Sequence, residues 1–352
     1  MKEVHIHSSK DYRIIIDKGI LKNCGQLIKE VSSARKTVVV SDDNVYGLYG
    51  DVVRESLEQA GFETDAFVFP NGEQSKNLTT YSKLLEFMCD RKMSRTDLVV
   101  SLGGGVPGDL AGFAAATFQR GIDFVQIPTT LLACVDSSVG GKTGVDLTNG
   151  KNQVGAFHQP VLVIADYDTL STLPKEQYAC GAAEVIKYAM IGDEAFAREL
   201  LDAPIDEQYE NVIYKCVSMK KEYVEKDEFD TGLRMMLNFG HTIGHGIETA
   251  SSYRIMHGQA VAMGMDIITK ASLQRDICDG KTYETLLSLL DKYELKNSVE
   301  FDADTLYEIM QTDKKNTGDK TRLIVPISVG KCEIKTILTT ELTKWMKDGG
   351  IK

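Results

Sequence analysis

The chain has 352 residues, enough for two domains, and its 43% hydrophobic and 26% charged composition is that of a globular protein, neither disordered nor fibrous. Forty basic against 51 acidic residues give a net charge of −11, which excludes non-specific attraction to nucleic acid or an anionic membrane surface; positive charge for an anionic ligand has to be gathered locally. Seven cysteines, at 24, 89, 134, 180, 216, 278 and 332, are scattered without a CxxC, so small core thiols in a reducing cytoplasm are expected rather than a disulfide framework. Met1-Lys2-Glu3-Val4-His5 lacks the basic-then-apolar layout of a signal peptide. No apolar run approaches the ~18 residues of a membrane span.

In chain order, Lys36–Ser41 predicts a buried strand, Asp51–Gly61 a helix ended by glycine, and Thr64–Phe69 a second strand. Leu78, Tyr81, Leu84, Leu85 and Met88 fall at helical spacing over 78–93. A strand at Asp97–Leu102 runs into Gly103-Gly104-Gly105, followed by a small-residue helix over 108–117 and strands at 123–127 and 161–165. This alternation predicts an α/β domain over 1–174 with a parallel sheet covered by helices on both faces. Beyond Leu173-Pro174 the patterns are long and helical to about Met310, and Thr321–Ile337, with Gly330 inside, predicts a hairpin. Residues 175–352 therefore read as a mainly helical domain.

Three kinds of residue could carry chemistry. The first is the glycine cluster before the helix at 108, where backbone N–H groups can approach a phosphate at the helix's positive end. The spacing is not GxGxxG, and a tight structural turn uses such glycines equally well. Asp42 and Asn44, at the end of an earlier strand, suit a ribose hydroxyl, and Gly72-Glu73-Gln74-Ser75-Lys76 follows the next strand. The second is a histidine cluster: of six histidines, 241, 245 and 257 stand within one short segment. His241 and His245 share a helical face at i and i+4, the spacing of two metal ligands. Glu184, amid small apolar residues with Lys187 on its face, is a carboxylate that burial would make costly unless paired or coordinated, and two histidines with one acid leave an open, catalytic position. The third is lysine in glycine-rich loops, at Gly140-Gly141-Lys142-Thr143 and Asn149-Gly150-Lys151-Asn152. A nucleotide-triphosphate loop would need glycine at position 136, which is aspartate.

Gly103 to Pro160 and Gly232 to His245 resemble the 3-dehydroquinate synthase family. So do Gly72-Glu73…Lys76, Pro128-Thr129-Thr130-Leu131-Leu132-Ala133, Ala183-Glu184-Val185-Ile186-Lys187-Tyr188 and His257-Gly258-Gln259-Ala260-Val261. The motifs lie in family order over most of the chain. The resemblance extends more distantly to other sugar-phosphate cyclases and to metal-dependent polyol dehydrogenases, the two alternatives to weigh.

It implies conversion of 3-deoxy-D-arabino-heptulosonate 7-phosphate to 3-dehydroquinate and phosphate in the shikimate route to aromatic amino acids. It further implies a Rossmann-like NAD domain before the helical metal- and substrate-binding domain. The metal, zinc or cobalt, would be held by Glu184, His241 and His257, with His245 becoming a substrate contact. NAD would be met by Asp42, Asn44, Glu73, Lys76, Gly104, Gly105, Gly108, Asp109, Thr129, Thr130, Lys142, Lys151, Thr169, Leu170 and Thr172. Substrate would be met by Asp136, Lys142, Asn152, Lys187, Lys220, Arg234, Asn238, His245 and either Lys314 or Lys315. Arg120 matches an arginine that, in the family, reaches the neighbouring subunit's substrate phosphate, which implies a homodimer. Pro107, Cys134, Asp146 and Gly246 depart from the usual family pattern, and none is an implied ligand.

Overall fold

The computed structural model describes residues 1–148, 150–295, 298–313 and 319–352. The chain divides into two compact units, Met1–Pro174 with Tyr209–Phe229, and Lys175–Gln208 with Asp230–Lys352. The helix Tyr209–Lys226 thus belongs to the first unit, although its sequence lies beyond residue 174; it packs on the two N-terminal strands.

The first unit holds β1 (Lys2–Ile6), β2 (Tyr12–Asp17), β3 (Lys36–Asp42), β4 (Glu63–Phe69), β5 (Leu98–Gly103), β6 (Asp123–Pro128), β7 (Lys142–Leu147), β8 (Gly150–Phe157) and β9 (Leu162–Asp166). Seven of them form one sheet in the order β1-β2-β9-β6-β5-β3-β4, antiparallel only at β1. Successive side chains of a strand point to opposite faces, and β3 shows the consequence. Val39 packs with Ile28, Val53 and Leu57 on one side, whereas Val38 and Val40 pack with Leu84, Leu110 and Phe113 on the other. Both faces are covered, which is why these strands read as continuous apolar runs. The sheet order reverses between β3 and β5, so their C-terminal ends flank a topological switch point.

Two features differ from the sequence expectations. The helix after β5 starts at Gly105, earlier than 108, with Pro107 tolerated in its first turn, where N–H groups have no helical partner anyway. The lysine segments expected as loops form the hairpin β7–β8. Its pattern is illegible because glycines face each other: a Cβ on Gly155 would lie 2.1 Å from the Thr143 carbonyl oxygen, so side-chain alternation gives way to backbone contact.

The second unit is built from helices, including Lys175–Gly192, Glu194–Asp202, His241–Ala250, His257–Gln274, Gly280–Lys292 and Ala303–Asp313, plus the hairpin β10 (Lys320–Ser328) and β11 (Lys331–Leu338). Gly330, at φ +78°, makes the turn between the two strands. Among the described residues no helix is long and apolar enough to cross a membrane.

Candidate active site

In the second unit, Glu184 lies within the helix Lys175–Gly192, while His241 and His257 are the first residues of the helices His241–Ala250 and His257–Gln274. Glycine lets the three helices meet backbone to backbone. A Cβ on Gly258 would sit 2.3 Å from Cys180 Cα, and one on Gly240, at φ +79°, only 2.5 Å from the Val261 carbonyl oxygen. That close approach brings Glu184 Oε1 to 3.5 Å from His241 Nε2 and 3.3 Å from His257 Nε2. The other carboxylate oxygen, Oε2, is ion-paired with Lys187, and both residues are buried.

The protons of the two imidazoles are set by their outer partners. The Phe239 carbonyl, 3.1 Å from His241 Nδ1, can only accept, so Nδ1 donates and Nε2 keeps its lone pair. His257 Nδ1 lies 3.2 Å from a carboxylate oxygen of Glu248 and donates likewise. Burial pushes the His241 pKa down to about 3, so the ring is neutral. Burial opposes charge on His257 too, but hydrogen bonds and attraction from Glu184 and Glu248 outweigh it and push that pKa up to about 10.

A carboxylate oxygen facing two imidazole nitrogens calls for a cation between them. On His257 a proton serves, while a divalent metal would serve all three donors. Tetrahedral bonds of ~2.0–2.1 Å to nitrogen and oxygen separate neighbouring donors by roughly 3.4 Å. The 3.5 and 3.3 Å separations match that spacing. All three donor atoms lie within 4.8 Å of one another. The residues fit a divalent metal held by three protein ligands.

The pairing of His241 with His245 suggested by the i, i+4 spacing is corrected here. The structure groups His245 with Glu248, at 4.0 Å, and with His257, and leaves it outside the cluster around Glu184. His245 instead lines a cavity of about 160 Å³ together with Asn238, His241, Thr242, Gly246, Ile309 and Met310. Gly246, a departure from the family pattern, leaves room that Met310 fills, since a Cβ there would lie 2.7 Å from Met310 Cγ. Arg234, in the short helix Leu233–Asn238, is buried. Glu248 escaped the sequence reading, although it continues the His241, His245 face at i+7.

In the first unit the expected NAD contacts collect beyond the C-terminal ends of the parallel strands, where ligands of open α/β sheets bind. Asp42 ends β3, Glu73 follows β4, Gly104 follows β5, Thr129 follows β6 and Thr169 follows β9. Gly104 caps the helix Gly105–Thr117, and a Cβ there would lie 2.9 Å from Thr130 Cγ2. Among the described residues the buried Thr129 hydroxyl has no hydrogen-bond partner, a polar atom suited to a ligand at this edge. Other candidates already have partners. Asp42 accepts from the Val45 N–H at 2.9 Å, and Tyr49 reaches both the Thr169 carbonyl at 3.1 Å and Thr172 Oγ1 at 2.6 Å. Burial lifts the Asp42 pKa. Asn44 is exposed, whereas Leu170 is buried. The chemistry of this edge fits a dinucleotide.

An ionic cluster borders it. Lys76, buried, pairs with Asp109 at 2.5 Å and donates to Asn152 Oδ1 at 2.6 Å. The Asn152 N–H donates to Asp146 at 2.7 Å, and Lys151 lies 3.5 Å from Glu73. Asp146, another departure, therefore fixes the left-handed Asn152, at φ +55°. Lys220 donates to Asp136 Oδ1 at 2.9 Å and to its carbonyl at 2.8 Å, across from the π-type turn Ala133–Ser137. Lys142, opening β7, and Arg120, at φ +68°, are exposed. Lys314 and Lys315 lie outside the described residues. A larger cavity, about 590 Å³ and lined by Phe67, Leu78 and Phe87 among others, contains none of the candidates.

The fold is that of the sugar-phosphate cyclases. A solved 2-deoxy-scyllo-inosose synthase, complexed with carbaglucose-6-phosphate, NAD+ and Co2+, aligns with a TM-score of 0.89 at 26% identity, over 99% of this chain and 100% of that one. An iron containing alcohol dehydrogenase shares the fold more loosely, with a TM-score of 0.66 at 17% identity over 98% of each chain. Within this class, family profiles described as 3-dehydroquinate synthase N-terminal and C-terminal match residues 66–180 and 181–316. The 3-dehydroquinate synthase of Clostridium kluyveri is 44% identical over 350 residues, 97% of each chain. That of Streptococcus suis is 42% identical over 343 residues, 96% of this chain and 97% of the relative. The chain belongs to the 3-dehydroquinate synthase family.

Proposed function

We propose that this chain is a carbon–oxygen lyase that converts 3-deoxy-D-arabino-heptulosonate 7-phosphate to 3-dehydroquinate and phosphate, with NAD and zinc or cobalt as cofactors. The observation that carries the reading is the Glu184–His241–His257 donor set, gathered around the buried Glu184, in a member of this family. When bound, NAD supplies reversible hydride acceptance and the metal supplies Lewis-acid polarisation of a substrate oxygen.

The chain's own residues bind and orient. Glu184, His241 and His257 hold the metal, and the ion pair of Lys187 with Oε2 keeps Glu184 turned so that Oε1 faces the histidines. The edge made by Gly104, Gly105, Gly108, Thr129 and Thr130 receives the dinucleotide, with Lys76 and Asp109 behind it. Lys142, Lys220 and Arg234 are each offered as a cation for the anionic sugar phosphate, which a chain of net charge −11 has to meet with locally placed positive charge. Asp136 holds the Lys220 ammonium in place, while Asn238 and His245 orient hydroxyl groups from the cavity they share with His241. The chain works as a cytoplasmic homodimer in which Arg120 reaches the partner's substrate phosphate.

The test is product analysis. With NAD and zinc, the purified protein is expected to form 3-dehydroquinate and phosphate from the heptulosonate phosphate and to leave other sugar phosphates unchanged. Turnover of a different sugar phosphate, with none of this one, defeats the reading.

A further inference from the structure

We infer that Glu248 is a positioning residue for the metal ligand His257: its carboxylate, 3.2 Å from Nδ1, fixes the ring so that Nε2 faces Glu184. The inference rests on the reading of Glu184, His241 and His257 as a metal site.

Glu248 is only 4% exposed, and a buried carboxylate is costly unless it is paired. Its main chain is already anchored, because its carbonyl accepts from the Tyr253 N–H at 2.8 Å and from Ser251 Oγ at 2.9 Å. The carboxylate is thereby held at the end of the helix His241–Ala250, with Oε2 against the imidazole of the next helix. His257 needs such a partner. It opens its helix directly after the turn at 251–256, and among the described residues no backbone carbonyl meets its ring as Phe239 meets His241.

The two histidines are therefore oriented by unlike groups, one neutral and one charged. A carboxylate behind an imidazole fixes its tautomer and raises the basicity of the coordinating nitrogen more than a carbonyl does.

The test uses the full chain as wild type, Glu248→Gln and Glu248→Met, each stripped of metal. Zinc affinity is read by competition with a chromogenic chelator, together with the visible spectrum of the cobalt-loaded proteins and the thermal midpoint of the metal-free ones. If the wild type takes up no zinc, the metal reading fails and this inference fails with it. Given stoichiometric wild-type binding, Glu248→Met is expected to weaken zinc about 10–100-fold, and Glu248→Gln, which keeps an acceptor but no charge, by less. Both are expected to shift the cobalt bands while the metal-free midpoints stay near wild type, which a merely structural role would not produce. Wild-type affinity and an unchanged cobalt spectrum in both variants overturn the inference. Should Glu248→Met not fold, the near-isosteric Gln variant decides by the same two readings.

Discussion

Glu184 Oε1 lies 3.3 Å from His257 Nε2, although 72 residues of sequence separate them and Lys187 claims the other carboxylate oxygen. Three donor atoms stand at this spacing with Nδ1 of each imidazole committed elsewhere, so a metal there would take the place of the proton on His257.

Chelation is expected to abolish activity, and zinc or cobalt to restore it. Glu184→Gln, His241→Ala and His257→Ala should each collapse metal affinity, because two remaining ligands cannot hold an open site. Metal content after dialysis and activity on add-back are the measurements; full activity in a metal-free preparation defeats the assignment.

A cyclase and a polyol dehydrogenase differ in how they use NAD. A cyclase reduces and reoxidises it within one turnover, so phosphate release should continue for many turnovers on substoichiometric NAD without NADH building up. The check is a paired time course of phosphate and NADH absorbance. One NADH per product would favour the dehydrogenase.

Arg120 stands exposed in a run of left-handed residues, Gln119 at φ +52°, Arg120 at +68° and Gly121 at +121°. If it serves the partner's site, mixing Arg120→Ala chains with Lys187→Ala chains restores one complete site per heterodimer. Random exchange should then recover about a quarter of wild-type activity. A mixture that stays inactive after exchange is verified by mass spectrometry places Arg120 in its own chain's site.

Removing Lys76 leaves the Asp109 carboxylate without its 2.5 Å partner. Breaking a buried pair destabilises by about 3–5 kcal/mol, and Asp109, one-fifth exposed, belongs at the low end. Burial already raises the Asp109 pKa against the pull of Lys76, and without Lys76 it rises further. A carboxyl whose folded pKa is raised favours the fold below its unfolded pKa, and loses that contribution as pH climbs through the folded value. The urea-unfolding deficit of Lys76→Met should therefore be full at neutral pH and shrink towards pH 4. A deficit independent of pH would mean that Asp109 does not bear the loss.

The strand–helix alternation, the glycine turn after β5 and the hairpin at Gly330 were legible in the sequence, because each rests on local chemistry: side-chain period, chain entropy and the freedom of glycine. The chemical types at the site were legible too, since buried-looking Glu184 and the clustered histidines are costly without a purpose. Which histidine joins Glu184 was legible only through the family resemblance, which implied His257, and not from spacing. Helical periodicity compares residues along one helix, and it pairs His241 with His245; the choice of His257 was made by packing between helices, where Gly240 and Gly258 let backbones approach too closely for any side chain. The hairpin β7–β8 stayed hidden for the related reason that Gly144 and Gly155 replace alternation with backbone contact. Glu248 stood on the visible His241 face, yet only the tertiary structure shows that its partner is His257 on the following helix.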